Sequence, residues 1–420
     1  MPLKMVKKFG HYIVTAIVLA AMGLLINSWQ NVVDKKHTYE VSDAVISAFR
    51  SNDSEILDPR RQDIQFFTKN GDNSFNRGTL DSGAKTQHII ILAAFRTGSS
   101  FTAELFNRND DFFYVFEPGL LLTQCAMKSG MSDAVFPALY SQMLENILHC
   151  DFEIASMQCY LQELSALSNS SRLRYIPSLQ CKHSNVKPCS ISAESLGEVC
   201  RNKKHIAVKT IRVRQINEAL HLIRGETLNT KLVHVIRDPR GRIASWLKLK
   251  RGAKPKYDSD DLDMQTMWTA NTYCQQMLDN YIIGRTMTNI GYFDTKYTFV
   301  RYEDMAENPE LSAEGLYKTL GLHFPTSIRD WLQDNTKTSK GGDFGTSRNS
   351  KQQAQSWRSK LTLAAVRAVE ALSPCKKLLS TLGYVTPQNN SILLNLNISL
   401  VQKVPDFIIK EHNATWRHFY

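Results

Sequence analysis

The feature that most constrains this chain is the stretch from His88 to Phe116, HIIILAAFRTGSSFTAELFNRNDDFFYVF. It opens on an apolar run, His88 to Phe95, that is too short for an ordinary helix and rich in β-branched residues, so it reads as a buried central strand. The run breaks into Arg96-Thr97-Gly98-Ser99-Ser100, after which Phe101, Leu105 and Phe106 stand at helical spacing. Strand, tight polar turn and helix in that order leave the first N–H groups of the helix unpaired and aimed at whatever sits above the strand end. Gly98 lets the backbone bend and a ligand come close. Arg96 adds a cation and Thr97, Ser99 and Ser100 add hydroxyls, a set suited to a group with several anionic oxygens. The loop has one glycine and no lysine, so it is not a Walker A loop. Taken alone, the same residues also fit an ordinary serine-capped helix start.

Further strands are expected at His205–Ile211, Lys231–Ile236 and Thr298–Tyr302, with helices following to about Ile223, from Pro239 through Lys250, and over Glu310–Leu320. Pro239 suits a first helical position, and Arg240, Arg242, Lys248, Lys250 and Arg251 make its helix strongly basic. Strands alternating with helices argue for a parallel sheet with helices on both faces. Ligands then lie at the carboxyl ends of the strands, where Arg96, Glu117, Lys209 and Arg237 all fall.

The N-terminus is organised differently. Residues 1–8 are short and basic (Lys4, Lys7, Lys8); residues 9–29 hold an apolar stretch, Ile13 to Ile26, flanked by Tyr12 and Trp29. That span is about long enough to cross a bilayer, with aromatics at interfacial positions. Ile26-Asn27-Ser28-Trp29 is a poor small-residue cleavage site. The expectation is an uncleaved signal anchor, N-terminus in the cytoplasm, followed by a polar stem over 30–86, a globular domain over 87–385 and a peripheral extension over 386–420. All eight cysteines lie beyond the anchor, and five sequons begin at Asn52, Asn169, Asn389, Asn397 and Asn413. Both suit an oxidising, glycosylating compartment. Eight cysteines allow 105 connectivities, with the group from Cys150 to Cys200 expected to be stapled internally. Cys181-Lys182-His183 matches no zinc spacing, so no metal is expected. The formal charge of +11 suits an anionic partner, and no nucleic-acid module is visible.

The sequence resembles the Golgi carbohydrate sulfotransferases that act on the 6-hydroxyl of galactose, N-acetylgalactosamine or N-acetylglucosamine. Arg96 to Phe101 with Glu104-Leu105-Phe106-Asn107 is similar to their 5′-phosphosulfate loop. Phe112 to Pro118 is similar to their next strand and its acidic end, and Leu232 to Arg240 with Ser245 to their 3′-phosphate element. The block from Gly345 through Arg348 to Arg358 is similar to a segment that closes over the cofactor. The likeness covers most of residues 88–385 and leans towards the chondroitin 6-sulfotransferase branch.

The resemblance implies an α/β sulfotransferase fold, a P-loop-like parallel sheet flanked by helices with an N-terminal transmembrane helix, in a single-pass type II protein of the Golgi membrane. It implies 3′-phosphoadenosine 5′-phosphosulfate (PAPS) as donor, no metal, and a glycan acceptor of chondroitin, keratan or N-acetyllactosamine type; a homo-oligomer is compatible with it. The donor would be held by Arg96, Thr97, Gly98, Ser99, Ser100 and Phe101 at its 5′ end, by Arg237 and Ser245 at its 3′-phosphate, and by Arg348 in the cover. Glu117, taken to end the strand beside the loop strand, is the candidate base, with Arg96 and Lys209 supporting the leaving group. Gly119-Leu120-Leu121 departs from the Leu/Val-Trp-His that follows Glu-Pro in many relatives, which puts acceptor specificity in question. One rival is a Golgi glycosyltransferase reading Asp258-Ser259-Asp260 or Asp261-Leu262-Asp263 as an Asp-x-Asp metal–nucleotide motif; Lys254-Pro255-Lys256-Tyr257 precedes in place of the usual apolar strand, and an acidic start to the next helix explains those residues better. A non-catalytic lumenal glycan-binding protein is the other.

Overall fold

The computed structural model describes residues 86–130, 135–154, 157–166, 191–225, 227–337, 347 and 349–406. The expected anchor, the stem up to residue 85, Arg348, Cys181, Cys189 and the sequons at Asn52, Asn169 and Asn413 lie outside them. Among the described residues no helix is long and apolar enough to cross a membrane.

Strands β1 (His88–Ala93), β2 (Phe112–Phe116), β3 (His205–Thr210), β4 (Thr230–Ile236) and β5 (Tyr297–Arg301) form a wholly parallel sheet in the order β2-β3-β1-β4-β5. Every residue of β1 is buried, as a central parallel strand covered on both faces requires. Its side chains alternate between two layers. Ile90 and Leu92 join Val208, Leu232 and the helix α3 described below, while Ile89, Ile91 and Ala93 join Ala207, Val233 and Val235 beneath Phe101, Leu105 and Phe106.

Those three aromatics and aliphatics belong to α1 (Ser99–Asn107), which follows the β1 turn. The chain continues through α2 (Pro118–Ser129), α3 (Phe136–Leu148), α4 (Gln158–Ala166) and α5 (Ala193–Arg201) before β3, and through the short α6 (Leu220–Arg224) before β4. Helices α7 (Pro239–Arg251) and α8 (Met264–Asn289) join β4 to β5. After β5 come α9 (Tyr302–Glu307), α10 (Pro309–Leu320), α11 (Thr326–Thr336), α12 (Ser350–Gln355), α13 (Trp357–Lys360), α14 (Leu363–Ala371), α15 (Ser373–Thr381) and α16 (Asn390–Leu394). The connection leaving β1 runs to one side of the sheet and that leaving β4 to the other. The crevice between their carboxyl ends is the topological switch point, where open α/β sheets bind ligands.

Four expectations are corrected. The strand beside β1 is β3, not β2; Glu117 therefore ends an edge strand two positions from the loop strand. The segment after β3 is not one helix to Ile223: Asn280 accepts the Ile216 N–H and donates to the Arg214 carbonyl, holding residues 212–215 outside helical pairing until a 3₁₀ turn begins at Ile216. The Cys150–Cys200 pair is internal to the expected cluster, but Cys159 bonds outside it, to Cys125. Residues 386–406 are not peripheral. Leu393 and Leu400 are core residues, and the buried Arg358 guanidinium donates to the carbonyls of Ile392, Leu393, Asn395 and Ile398. Asn389 and Asn397 remain exposed.

A third disulfide, Cys274–Cys375, ties α8 to α15 across 101 residues of chain, with both cysteines fully buried. Closing a loop of that length restricts the unfolded chain by up to about 4.7 kcal/mol in the chain-entropy account. Replacing both cysteines by alanine is expected to cost about 2–5 kcal/mol, read as a lower denaturant midpoint with a steeper slope as the unfolded chain expands; an unchanged midpoint would refute this role.

Candidate active site

The turn after β1 is built by φ angles that ordinary residues avoid. Arg96 (φ 69°) and Gly98 (φ 82°) are both left-handed. Gly98 is further constrained by a close approach: a Cβ there would lie 2.2 Å from the Tyr302 ring. The Thr97 hydroxyl donates to the Ala94 carbonyl at 2.8 Å and closes the turn. Gly98 is the N-cap of α1 and offers no side-chain cap, and the first turn holds no acidic residue. The Phe101 and Thr102 N–H groups bond to the Gly98 carbonyl, while among the described residues those of Ser99 and Ser100 have no acceptor. The helix start therefore presents free donors and its positive dipole end. Phe101 itself is withdrawn from that role. Its N–H is occupied, and its ring is buried 5.7 Å from Trp331.

Two further elements meet this turn. From α7, Ser245 accepts a 2.8 Å hydrogen bond from Arg96 Nε, and Arg242 donates to the Phe95 carbonyl and the Thr269 carbonyl. From the end of β4, Arg237 Nη1 donates to the Arg96 carbonyl at 3.1 Å, and its guanidinium lies 4.6 Å over the Tyr302 ring. The Tyr273 hydroxyl takes the Arg237 N–H and donates to its carbonyl. Arg237 Nε is buried and has no acceptor among the described residues. Gly241, one helical turn on, leaves it room; a Cβ there would come 3.2 Å from that nitrogen. Arg96, Arg237 and Ser245, far apart in sequence, thus form one cluster at the switch point.

Arg240 does not join it. The side chain is fully buried, paired with Asp238 and Glu370 and stacked 4.5 Å over Trp357. Trp357 and Arg358, at the end of the expected cofactor cover, are likewise core residues. Asp258 and Asp261 form a capping box, and Asp263 caps α8 while pairing with Lys250 and Arg251. The Asp-x-Asp strings are therefore helix starts. Among the described residues no group of three or more His, Cys, Asp or Glu could hold a metal.

A second cluster stands at the ends of β2 and β3. Glu117, left-handed at φ 43°, bonds through Oε1 to the buried Lys209 and through Oε2 to Arg212 Nη1 at 3.4 Å. The Lys209 ammonium also lies 4.8 Å over the Phe116 ring. Since β3 is paired with both β1 and β2, and neighbouring strands run about 4.8 Å apart, Lys209 stands on the strand between Glu117 and the strand that leads into the Arg96–Gly98 turn.

Sequence reasoning missed Arg212, Gly241, Arg242, Tyr273, Tyr302 and Glu303 as parts of these clusters. Tyr302 and Glu303 fall just past a strand end, the rule that singled out Arg96 and Arg237. Tyr273 sits mid-helix, 36 residues from the arginine it holds, and carries no local signal. Glu303 accepts the Asp238 N–H and the Tyr384 hydroxyl. Burial, with the Asp238 carboxylate nearby, pushes it up to about 7. A carboxylic acid raised from 4.5 holds its proton in the folded state after the unfolded chain has released it. Stability from this group is therefore present below about pH 4.5 and lost as pH rises to about 7. Glu303→Gln is expected to flatten the fall in melting temperature between pH 5 and 8; parallel curves for mutant and wild type would exclude this.

A parallel α/β sheet with an open helix start and two arginines gathered at its switch point has the arrangement in which such folds bind ligands. The sulfotransferase domain family matches residues 86–381, and the chain belongs to that family. Among its relatives, carbohydrate sulfotransferase 1 of Danio rerio is 29% identical, with 81% of this chain and 87% of the relative covered. Carbohydrate sulfotransferase 3 of Mus musculus is 26% identical, with 77% and 73% covered. The sulfotransferase domain from the curacin biosynthetic pathway is similar at a TM-score of 0.37 and 15% identity, covering 72% of this chain and all of that one.

Proposed function

We propose that this sulfotransferase moves a sulfuryl group from PAPS to the 6-hydroxyl of an N-acetylgalactosamine, galactose or N-acetylglucosamine residue in a glycan. The observation that carries the reading is the junction of two polar features suited to anions: the open start of α1, and the buried Arg237 Nε, which has no acceptor among the described residues, joined through the Arg96 carbonyl. A donor with a 5′-phosphosulfate and a 3′-phosphate offers one anionic group to each, and Gly241 leaves room beside the second, where a Cβ would come 3.2 Å from Arg237 Nε. PAPS, when bound, supplies the activated sulfuryl group. Arg237 and Ser245 hold the 3′-phosphate. Thr97 to Ser100 hold the 5′ end through backbone N–H groups and hydroxyls. Glu117 takes the proton of the acceptor hydroxyl as its oxygen bonds to sulfur. Arg96 and Lys209 receive the charge on the departing phosphate oxygen, where fixed donors lower a barrier most. The carbohydrate sulfotransferases among the relatives support a sugar acceptor.

The test offers sulfur-labelled PAPS with chondroitin, keratan and N-acetyllactosamine acceptors to the detergent-solubilised full chain. Label at a 6-position is the expected result; label at another position, or none on any acceptor, overturns it. Placement in the Golgi membrane through residues 9–29 is part of the same reading, supported by the two exposed sequons at Asn389 and Asn397. N-glycosidase should increase the gel mobility of the cell-expressed protein, and unchanged mobility would count against a lumenal domain.

A further inference from the structure

We infer that Arg212 is a positioning residue for proton transfer at Glu117, an inference that rests on the reading of Glu117 as base. The residue is held at its guanidinium, its stem and its backbone. Its Nε donates to Thr123 of α2 at 3.2 Å, and that hydroxyl donates onward to the Gly119 carbonyl at 2.7 Å. Its backbone N–H bonds to the hydroxyl of Thr210, the last residue of β3, which also accepts the Tyr140 hydroxyl of α3 at 2.6 Å. Its stem lies against bare Gly119, where a Cβ would come 2.9 Å from Arg212 Cδ and 2.8 Å from Tyr140. Gly119, where the chain departs from many similar sequences, is therefore the space the arginine occupies.

The geometry explains why a second cation is needed. The terminal torsion of a glutamate is broad and weakly restrained. Lys209 is a point charge with rotatable donors; on one oxygen it sets a distance without setting the carboxylate plane. Arg212 on the other oxygen fixes that plane. The left-handed backbone at Glu117, bonded through its N–H to the Lys209 carbonyl at 2.8 Å, brings the carboxylate over both. Misplacing a reacting group by about 1 Å can cost about 10²-fold in rate.

The test is a mutant cycle on the full chain with PAPS and whichever acceptor it sulfates. Arg212→Ala is expected to lower kcat by ~10–100-fold, with affinity for PAP (3′-phosphoadenosine 5′-phosphate) unchanged, and to cause no further loss in a Glu117→Gln background, because it acts only through that carboxylate. Arg212→Lys, unable to reach Thr123 and Glu117 together, should recover part of the loss. Equal losses in both backgrounds, a loss confined to PAP affinity, or no loss at all would overturn the inference while leaving the base reading intact. Full turnover in Glu117→Gln alone would remove the base reading and this one with it. If Arg212→Ala does not fold, Thr123→Val serves in its place: it frees Nε, and a ~2–10-fold loss in kcat should vanish in the same background.

Discussion

Glu117→Gln is expected to lower turnover by about 10²–10⁴-fold, the usual cost of removing a general base, while the dissociation constant for PAP is expected to stay within about twofold. Glutamine keeps the size of the side chain and can still accept from Lys209, but it cannot take the acceptor proton. The loss belongs in kcat because the proton moves only as the transition state forms. On the proposed reading PAP affinity changes little, because glutamine still accepts from Lys209 and the other proposed phosphate partners, the α1 start and Arg237, are untouched by a change at the edge strand β2. Glu117 is already paired with Lys209 and Arg212, so a purely structural role makes a contrary forecast. A salt bridge of that kind would lower melting temperature and yield together and leave turnover per folded molecule near normal. Turnover, PAP affinity and melting temperature measured on one purified mutant separate the two.

Arg237→Ala is expected to weaken PAP binding by about 10–150-fold, the loss of a charge-assisted hydrogen bond worth roughly 1.5–3 kcal/mol. The side chain is buried, with its Nε unpaired and its Nη1 on the Arg96 carbonyl, so it supports the turn as well as facing the ligand. Arg237→Lys separates these parts. It keeps the charge but not the planar fork, and should fall between wild type and alanine. Calorimetric titration with PAP reads both; an unchanged dissociation constant in the alanine variant would remove Arg237 from the site.

The parts of this site that were legible in the sequence are those written within a few residues. The strand–turn–helix from His88 to Asn107, Pro239 opening a helix after β4, and the left-handed turn at Gly98 each depend on local backbone rules. The sequence also placed Arg96, Glu117, Lys209 and Arg237 at strand ends, because a parallel α/β pattern puts carboxyl ends on one edge. It could not order the strands. The assumption that β2 lies beside β1 failed because a crossover carries no local mark of how many positions it spans, and β3 enters between them only when the sheet forms.

The same limit governs individual arginines. Nothing local distinguishes Arg237, Arg240 and Arg242, three basic residues within six positions of one helix start. Packing assigns them. Arg240 is closed off by Glu370 and Trp357 from distant helices, Arg242 clamps the Phe95 and Thr269 carbonyls, and Arg237 is left with a buried nitrogen facing the switch point. Arg358 likewise changes from a residue of a cofactor cover to the anchor of the C-terminal segment, because four carbonyls from residues 392–398 converge on it. The sequence by itself determined the strand–turn–helix with its open helix start, since backbone conformation and helix ends are local properties. The tertiary structure alone decided which charges are spent on the fold and which remain for a ligand, since a charge's partners come from anywhere in the chain.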